Sequence, residues 1–138
     1  MVINRKLAQS LLPLAVASAL LSADTLPQEA DSDTGAGKVA FNTSCRTCHS
    51  TKEGDNRLGP NLHDIIGREA GSAEYGYSPA MSASDVVWDA ETLDRFIENP
   101  DAVVPGNNMK PYGGISDEEV RASIVAHLSA ASGDGKGE

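Results

Sequence analysis

The stretch NTSCRTCHS, residues 42–50, contains both cysteines of this 138-residue chain and one of its three histidines. Cys45 and Cys48 stand three positions apart, and His49 directly follows the second cysteine. Residues three apart share one face of a helical turn, so both thiols are expected on the same side of the chain. The stretch is therefore the first place to look for covalent or metal chemistry.

Three kinds of site use a Cys-x-x-Cys pair, and the rest of the sequence separates them. A redox dithiol places the pair at the start of a helix that follows a strand, and no strand pattern precedes Cys45. A structural zinc site needs four nitrogen or sulfur ligands, but no third cysteine exists and His63 and His127 stand alone. Covalent haem attachment needs only Cys-x-x-Cys-His. The pattern therefore favours one haem c, covalently attached through Cys45 and Cys48 with His49 on the iron.

The first 23 residues have the layout of a secretory signal peptide. A short basic region, MVINRK, precedes an apolar run, and residues 17–19 read Ala-Ser-Ala, a cleavage signal; a cut after Ala23 is a second option. The alternative is an uncleaved membrane anchor formed by residues 7–23, but this run is short for a membrane span and contains Pro13. Either way the chain is expected in the periplasm, and cleavage is the favoured reading.

The remaining sequence divides into three parts. Residues 24–35 are acidic and predict a flexible lead-in, residues 36–131 predict one domain, and residues 132–138 predict a disordered tail. One Trp, three Tyr and two Phe are few large side chains for one domain. A buried porphyrin would supply the missing apolar volume.

The charge of the chain is strongly acidic. Removing residues 1–23, which hold Arg5 and Lys6 and no acids, leaves nine basic residues, mostly scattered, against 20 acidic ones, a formal charge of −11. Such a surface disfavours nucleic acid and anionic lipid, and it steers the protein toward partners with a basic docking face. The alternative is that the charge serves solubility alone.

Three helices are predicted, separated by Gly- and Pro-rich loops without strand alternation. The first runs from about Ala36 to Thr47, and its apolar stripe consists of Gly37, Phe41 and Cys45. The second is capped by Asp89 and stopped by Pro100, and its stripe consists of Leu93, Phe96 and Ile97. The third has Ser116 as N-cap and Glu119 as its capping-box partner, and its stripe consists of Val120, Ile124 and Leu128.

A sixth iron ligand has four candidates: Met81, Met109, His63 and His127. His127 lies within an amphipathic helix, where histidines usually pack or face solvent. His63 is too close to the attachment motif to reach the opposite face of a porphyrin easily. Met109 is favoured over Met81, because sixty residues separate it from His49 and allow the chain to pass around the ring.

Taken in order, the motifs resemble those of the class I cytochromes c, the small single-haem type of bacterial periplasm and mitochondria. The matching segments are CRTCH, GPNLHDIIGREAG, WDAETLDRFIENPDAVVPGNNM and the closing helix, which together cover nearly everything from Gly37 to Ser129. The resemblance implies an all-α cytochrome c fold, with three to five helices and long loops wrapped around one haem. It also implies that the first and last helices cross, with Gly37 and Phe41 near Ile124 and His127.

The resemblance further implies the ligands of the iron. His49 and Met109 would be the axial pair, and the Pro60 carbonyl would accept the proton on the other ring nitrogen of His49. Asn107 replaces the threonine that precedes the methionine in the family, and it keeps the ability to hydrogen-bond. After the methionine the sequence reads KPYGG, so Tyr112 is the aromatic expected nearest the exposed haem edge.

Three residues match positions that bind a haem propionate in the family: Arg68, Tyr77 and Trp88. Each has a plainer alternative, namely a solvated charge for Arg68, a loop residue for Tyr77 and ordinary core for Trp88. Phe96 stands where the mitochondrial proteins have a tyrosine near the methionine sulfur. The lysine-rich docking face of those proteins is absent.

The predicted function is electron transfer without a catalytic site, because His and Met together leave the iron no open position. The expected partners of this monomeric respiratory-chain carrier are redox proteins: a membrane quinol–cytochrome c oxidoreductase, a terminal oxidase or a periplasmic dehydrogenase. Nucleic acid is not expected. One alternative is a dedicated haem c subunit of a periplasmic dehydrogenase that oxidises sulfite or alcohols. Another is a haem enzyme such as a peroxidase, which would require Met109 to be absent or labile.

Overall fold

The computed structural model describes residues 29–133. Its helices, in chain order, are α1 (Glu29–Ser44), α2 (Pro79–Ser82), α3 (Ala90–Glu98), α4 (Pro100–Val103) and α5 (Glu118–Ala131). Within the described residues the only pairing of extended backbone is an isolated antiparallel bridge between Glu69 and Val87. The all-α prediction is confirmed, and long loops join α1 to α2 and α4 to α5.

Helix α1 begins earlier than the apolar pattern predicts. It starts at Glu29 rather than near Ala36, and it therefore includes residues 29–35 of the segment expected to be a flexible lead-in. No proline lies within this span, and the backbone continues as a helix through Gly35 and Gly37. The helix also ends at Ser44, three residues before the predicted end, where the chain enters the turn that carries the cysteines.

Helices α1 and α5 cross at Gly37, as the resemblance implied. A Cβ atom on Gly37 would lie 2.1 Å from the Ser123 carbonyl oxygen and 2.8 Å from the His127 Cβ, so only glycine allows this approach. Beside it, the rings of Phe41 and His127 pack with centroids 5.5 Å apart. Ile124 on α5 is fully buried at this crossing. The crossing places the end of α1, and with it the cysteine motif, against the core.

Helix α3 has the predicted cap and the predicted buried face. The Asp89 carboxylate accepts the Thr92 amide hydrogen at 2.7 Å, and the Thr92 hydroxyl accepts from the Asp89 amide, which completes a capping box. The buried side chains are the predicted ones: Leu93, Phe96 and Ile97. Pro100 ends this helix and also occupies the first turn of α4, where its missing N–H costs nothing.

The predicted start of α5 is wrong by one residue. Asp117, not Ser116, is the N-cap, and its carboxylate accepts the Val120 amide hydrogen at 3.1 Å. Aspartate caps at least as well as serine, so the helix begins one residue later and the expected pairing with Glu119 does not form. Farther along α5, the buried Arg121 joins this helix to α3 through the Asp94 carboxylate at 3.0 Å.

The predicted signal peptide or anchor, residues 1–23, lies outside the described residues, as do residues 134–138 of the predicted tail. From residue 29 to residue 133, no helix combines the length and apolarity that crossing a membrane requires. The domain boundaries beyond these limits stay predictions.

Candidate functional site

The last turn after α1 carries both cysteines and the histidine that follows them. The amide groups of Cys48 and His49 donate to the Cys45 carbonyl oxygen at 3.1 and 2.9 Å, which folds the motif into one tight turn. Both thiols are half-buried and not bonded to each other. The turn therefore presents two sulfur atoms and one imidazole as a single unit.

This environment is opposite to that of a redox dithiol. Burial and, to a smaller extent, the neighbouring Cys48 raise the pKa of Cys45 to about 11. Reactive thiolates sit at helix N-termini, where the helix dipole lowers the pKa, whereas this pair follows the C-terminal end of α1. A multi-ligand metal site is also not formed by the described residues, in which no cluster of three or more His, Cys, Asp and Glu side chains occurs.

The His49 imidazole is buried and held in one orientation. Its Nδ1 atom lies 2.7 Å from the Pro60 carbonyl oxygen, which can only accept, so Nδ1 carries the proton and Nε2 is left for a metal. Gly59 lies so close that a Cβ atom there would be 2.4 Å from the His49 Cε1. Burial lowers the pKa of His49, against a smaller opposite effect of the Pro60 carbonyl, and so favours the neutral ring that binds metals.

A group of polar side chains, here called the clasp, holds the backbone of Met109: Asp101, Asn107 and Lys110. The buried Asn107 amide donates to the Asp101 carboxylate and to the Val104 carbonyl, both at 2.9 Å. Its oxygen accepts the Met109 amide hydrogen at 2.9 Å. The Lys110 ammonium closes the clasp on the other Asp101 oxygen at 2.5 Å.

The four ligand candidates lie in different surroundings. His127 packs against Phe41 at the helix crossing, and the His63 Nε2 atom lies 3.5 Å from the Asp64 carboxylate. Met81 and Met109 are both half-buried and packed against the core. Burial alone does not separate the two methionines, so Met109 stays the predicted ligand on the strength of the resemblance and of its sequence distance from His49.

The structure brings together the three residues predicted at a propionate. The Trp88 amide donates to the Arg68 carbonyl at 2.9 Å. Burial raises the pKa of Tyr77, and the nearby charge of Arg68 opposes part of this rise. The buried Trp88 indole packs edge-on against Phe96, with ring centroids 4.9 Å apart. These residues are up to twenty positions apart in the sequence, and the chain between α1 and α3 brings Tyr77 and Trp88 near Arg68.

Arg68 has one buried nitrogen without a partner. Its two terminal nitrogens donate to the carbonyl oxygens of His63 and Asn61, each at 2.9 Å. Its Nε atom is buried and has no hydrogen-bond partner; among the described side chains only Asp64 Oδ1 shares that condition. A buried cationic donor without an acceptor is costly, and a haem propionate is an acceptor of the right charge. The residues present therefore fit a haem.

Sequence reasoning missed the contacts that fix the loops of this cluster. The Tyr75 hydroxyl donates to the Leu58 carbonyl at 2.5 Å, and the Asn56 amide donates to the Glu74 carbonyl at 2.8 Å. These bonds tie the segment after His49 to the segment before Tyr77. The only signal in the sequence is a set of asparagines and tyrosines in loops, which does not reveal their partners.

Tyr112, expected nearest an exposed haem edge, is half-buried and packs against the core. Its hydroxyl donates to the Ile97 carbonyl at 2.6 Å, which ties the segment after Met109 to α3. Burial raises the pKa of Tyr112 to about 12. The tyrosine therefore anchors the methionine segment, whatever its position relative to the haem edge.

A turn with two thiols and a buried, oriented imidazole, set against an all-α core, defines a small single-haem c-type protein. The family model described as cytochrome c oxidase, cbb3-type, subunit III matches residues 32–128. Cytochrome c2 of Rhodopila globiformis is 41% identical over 93 residues, which cover 67% of this chain and 87% of that protein. Cytochrome c-554 of Methylosinus trichosporium is 38% identical over 131 residues, covering 93% and 98%. Cytochrome c of Stellaria longipes is 37% identical over 100 residues, covering 71% and 92%.

The chain therefore belongs to the class I c-type cytochromes, which include this cbb3-type domain. It is a haem electron-transfer protein, and it carries one haem c covalently attached through Cys45 and Cys48. Redox proteins are the partners with which cytochromes c interact.

Proposed function

We propose that this cytochrome is a diffusible periplasmic carrier of a respiratory chain, with His49 and Met109 as its axial ligands. One observation carries the proposal: the buried His49 ring, whose Nδ1 atom is fixed on the Pro60 carbonyl at 2.7 Å. The bound haem supplies an iron that alternates between the ferric and ferrous states. A neutral imidazole held in one orientation suits a ligand that stays bound in both states.

Met109 makes the difference between a carrier and an enzyme. His49 and Met109 would together hold the iron and leave no position at which oxygen or peroxide could bind. The thioether of Met109 would favour the ferrous state and raise the reduction potential. The Asn107 amide supports this ligation indirectly, because it holds the Met109 amide at 2.9 Å.

Arg68, Tyr77 and Trp88 are proposed to hold one haem propionate. The partnerless Nε atom of Arg68 supports this role, since its other two donors are already bound to carbonyl oxygens. Pairing with Arg68 would compensate the charge of a propionate that is removed from water. Asn107, by contrast, uses its amide within the clasp, so its proposed role is to position Met109 rather than to contact the haem.

Two features of the sequence support export and the choice of partners: the layout of residues 1–23 and the net charge of the remaining chain. Residues 1–23 have the layout of a signal peptide, and the alignment with cytochrome c-554 covers enough of this chain to include part of residues 1–28. Without that segment the formal charge is −11, which steers a monomeric carrier toward basic docking faces. Suitable partners are a quinol–cytochrome c oxidoreductase, a terminal oxidase or a periplasmic dehydrogenase.

The test is an optical spectrum of the holoprotein in both oxidation states, recorded for wild type, Met109→Ala and Met81→Ala. Wild type and Met81→Ala should be low-spin and share the weak long-wavelength band of sulfur bound to ferric iron. Met109→Ala should lose that band, and its ferrous form should bind carbon monoxide. Met81→Ala is the matched control, because both methionines are half-buried against the core. A wild type that is high-spin and binds carbon monoxide would contradict the closed-site carrier.

A second function is favoured by one observation, the description of the matched family as an oxidase subunit. In this alternative the chain is a haem c subunit held by a larger complex, such as a periplasmic dehydrogenase that oxidises sulfite or alcohols. Size-exclusion chromatography of the native protein at physiological salt separates the two. A carrier elutes alone at its own mass, whereas a subunit elutes together with its enzyme.

A further inference from the structure

A small surface pocket gathers basic residues that are far apart in the sequence. The pocket has a volume of about 140 Å³ and lies between α1, α5 and the loop that follows the attachment turn. Lys38, Arg46 and Arg57 line it, together with Ser50, Thr51 and His127. Three of the nine basic residues outside the predicted signal peptide therefore meet at one place on an acidic protein.

One hydrogen bond to the backbone links two of the basic residues that line this cationic pocket. The Arg57 guanidinium donates to the Arg46 carbonyl oxygen at 2.9 Å, which holds the two arginine residues together. Helix α1 also contributes Lys38 to the lining, and α5 contributes His127. The pKa of His127 is lowered by burial and then by the Lys38 charge, as expected for a side chain in positive surroundings.

Asp55 contacts two residues that line the pocket, and its carboxylate offsets part of the positive charge there. The Asp55 carboxylate accepts from Arg57 at 3.0 Å, and it lies close to the Ser50 hydroxyl, whose hydrogen bond lowers the Asp55 pKa. Among the side chains of residues 35–133, no ion pair includes Lys38 or Arg46. Both cations are exposed, so they can interact with an anion that enters the pocket.

We propose that the cationic pocket binds a phosphate group, with Lys38 and Arg46 as its charged donors. A phosphate oxygen takes charge-assisted hydrogen bonds from lysine and arginine, and the Thr51 hydroxyl adds a neutral donor. The volume holds a group of this size together with some water. Free phosphate is the favoured source, because a chain of charge −11 is repelled by the anionic surface on which lipid headgroups are presented.

The position of the pocket couples it to the redox centre. Arg46 stands between the two anchoring cysteines, and Ser50 directly follows His49. A phosphate bound here adds negative charge beside the attachment turn, and negative charge stabilises the ferric state over the ferrous state. Phosphate should therefore lower the reduction potential, which makes the pocket a site of regulation. This inference does not depend on the identity of the sixth ligand.

The first experiment is isothermal titration of inorganic phosphate into the holoprotein, at constant ionic strength with chloride as the balancing anion. Wild type should bind one phosphate per chain, and Lys38→Gln and Arg46→Gln should each weaken binding at least tenfold. The control is Arg95→Gln, which removes the same charge from the exposed face of α3 and should bind like wild type. No saturable binding, or equal weakening in all three variants, would overturn the proposal.

Two further measurements identify the source of the phosphate group and the effect of its binding on the reduction potential. Vesicles that contain phosphatidylglycerol should retain no protein at the ionic strength of the titration. If the vesicles retain the protein through Lys38 and Arg46, and free phosphate does not bind, then free phosphate is not the source of the bound group. The reduction potential of wild type should fall on adding saturating phosphate, and that of Arg46→Gln should not. An unchanged wild-type potential would refute the coupling to the haem.

Discussion

The segments that hold His49 and Met109 do so by different physical means. His49 is 8% exposed and is enclosed by backbone, with the Pro60 carbonyl on one nitrogen and Gly59 against the ring. Met109 is half-buried, and its backbone is held by Asn107 within a clasp that reaches the surface at Lys110. The first arrangement is steric and nearly dry, whereas the second is polar and partly solvated.

This difference predicts opposite sensitivities. Crowded backbone tolerates no additional atom, but it holds few charges that salt can screen. A polar clasp tolerates changes of size at its surface, but it loses stability when one hydrogen-bonding partner is removed. Substitutions that add volume should therefore act on the histidine side, and substitutions that remove polar groups should act on the methionine side.

The largest effect is expected for Gly59→Ala. Its Cβ would lie 2.4 Å from the His49 Cε1, which forces the ring or the backbone to move. Such overpacking should lower the free energy of unfolding by about 3 kcal/mol, measured by guanidinium denaturation of the holoprotein. Gly113→Ala is the control, because a Cβ there meets nothing within 4 Å. If both variants lose the same stability, the steric account of His49 is wrong.

A somewhat smaller effect is expected for Asn107→Ala. The variant leaves the Met109 amide without its acceptor, and the Val104 carbonyl keeps only the backbone N–H of residue 107, which should cost about 2 kcal/mol of unfolding free energy. The long-wavelength sulfur-to-iron band should weaken as well, because the methionine backbone is no longer fixed. The adjacent Asn108→Ala serves as control, since that side chain is exposed. Equal stability of the two variants would show that the clasp does not hold Met109.

The outer ion pair of the clasp should contribute least at neutral pH. Asp101 and Lys110 are each about half exposed, so their coupling energy in a double-mutant cycle of Asp101→Asn and Lys110→Gln should be about 0.5 kcal/mol. The coupling should decrease further between low and high salt. A coupling energy that does not respond to salt would indicate a desolvated ion pair. The surroundings of Met109 would then resemble the nearly dry surroundings of His49.

The alkaline limit of the methionine side should depend on Tyr112. Burial raises the pKa of Tyr112 to about 12, whereas an unfolded tyrosine has a pKa of about 10. The folded state therefore keeps the proton longer, and stability is lost as pH rises from about 10 toward 12. Denaturation midpoints across this interval should fall less steeply for Tyr112→Phe than for wild type. Parallel curves would mean that Tyr112 ionises as easily in the folded protein as in the unfolded chain.

The sequence predicted those features that depend on local patterns, on the attachment motif or on the family resemblance. The resemblance predicted the crossing of the first and last helices near Gly37 and Phe41, and Asp89 predicted the start of α3. The spacing of the cysteines and the histidine predicted the haem. For the start of α3 and for the haem, a few neighbouring residues contain the whole physical reason, so no knowledge of the tertiary structure is needed.

Features that depend on small differences in local energy, or on the path of irregular loops, were not predictable in the same way. The choice of Asp117 over Ser116 as N-cap is a difference of one residue between similar local energies. Helix α1 starts seven residues before the predicted position, in a segment whose composition alone predicted flexibility. The bonds from Arg68 to Asn61 and His63, and the clasp around Asn107, join residues up to nine positions apart within irregular loops, whose path no periodicity in the sequence reveals. The cationic pocket needs α1, α5 and the attachment loop at once, and the sequence shows only basic residues at separate positions.

The crossing at Gly37 also has a consequence for the order of events during synthesis. Helix α1 and the cysteine motif precede their partner helix α5 in the chain, so they leave the ribosome first. Until α5 follows, the crossing cannot close, and Cys45 and Cys48 stand at the end of a helix without the partner that packs across it. The order of the helices therefore leaves an interval in which the two thiols are not yet covered by this crossing, and the appearance of α5 ends it.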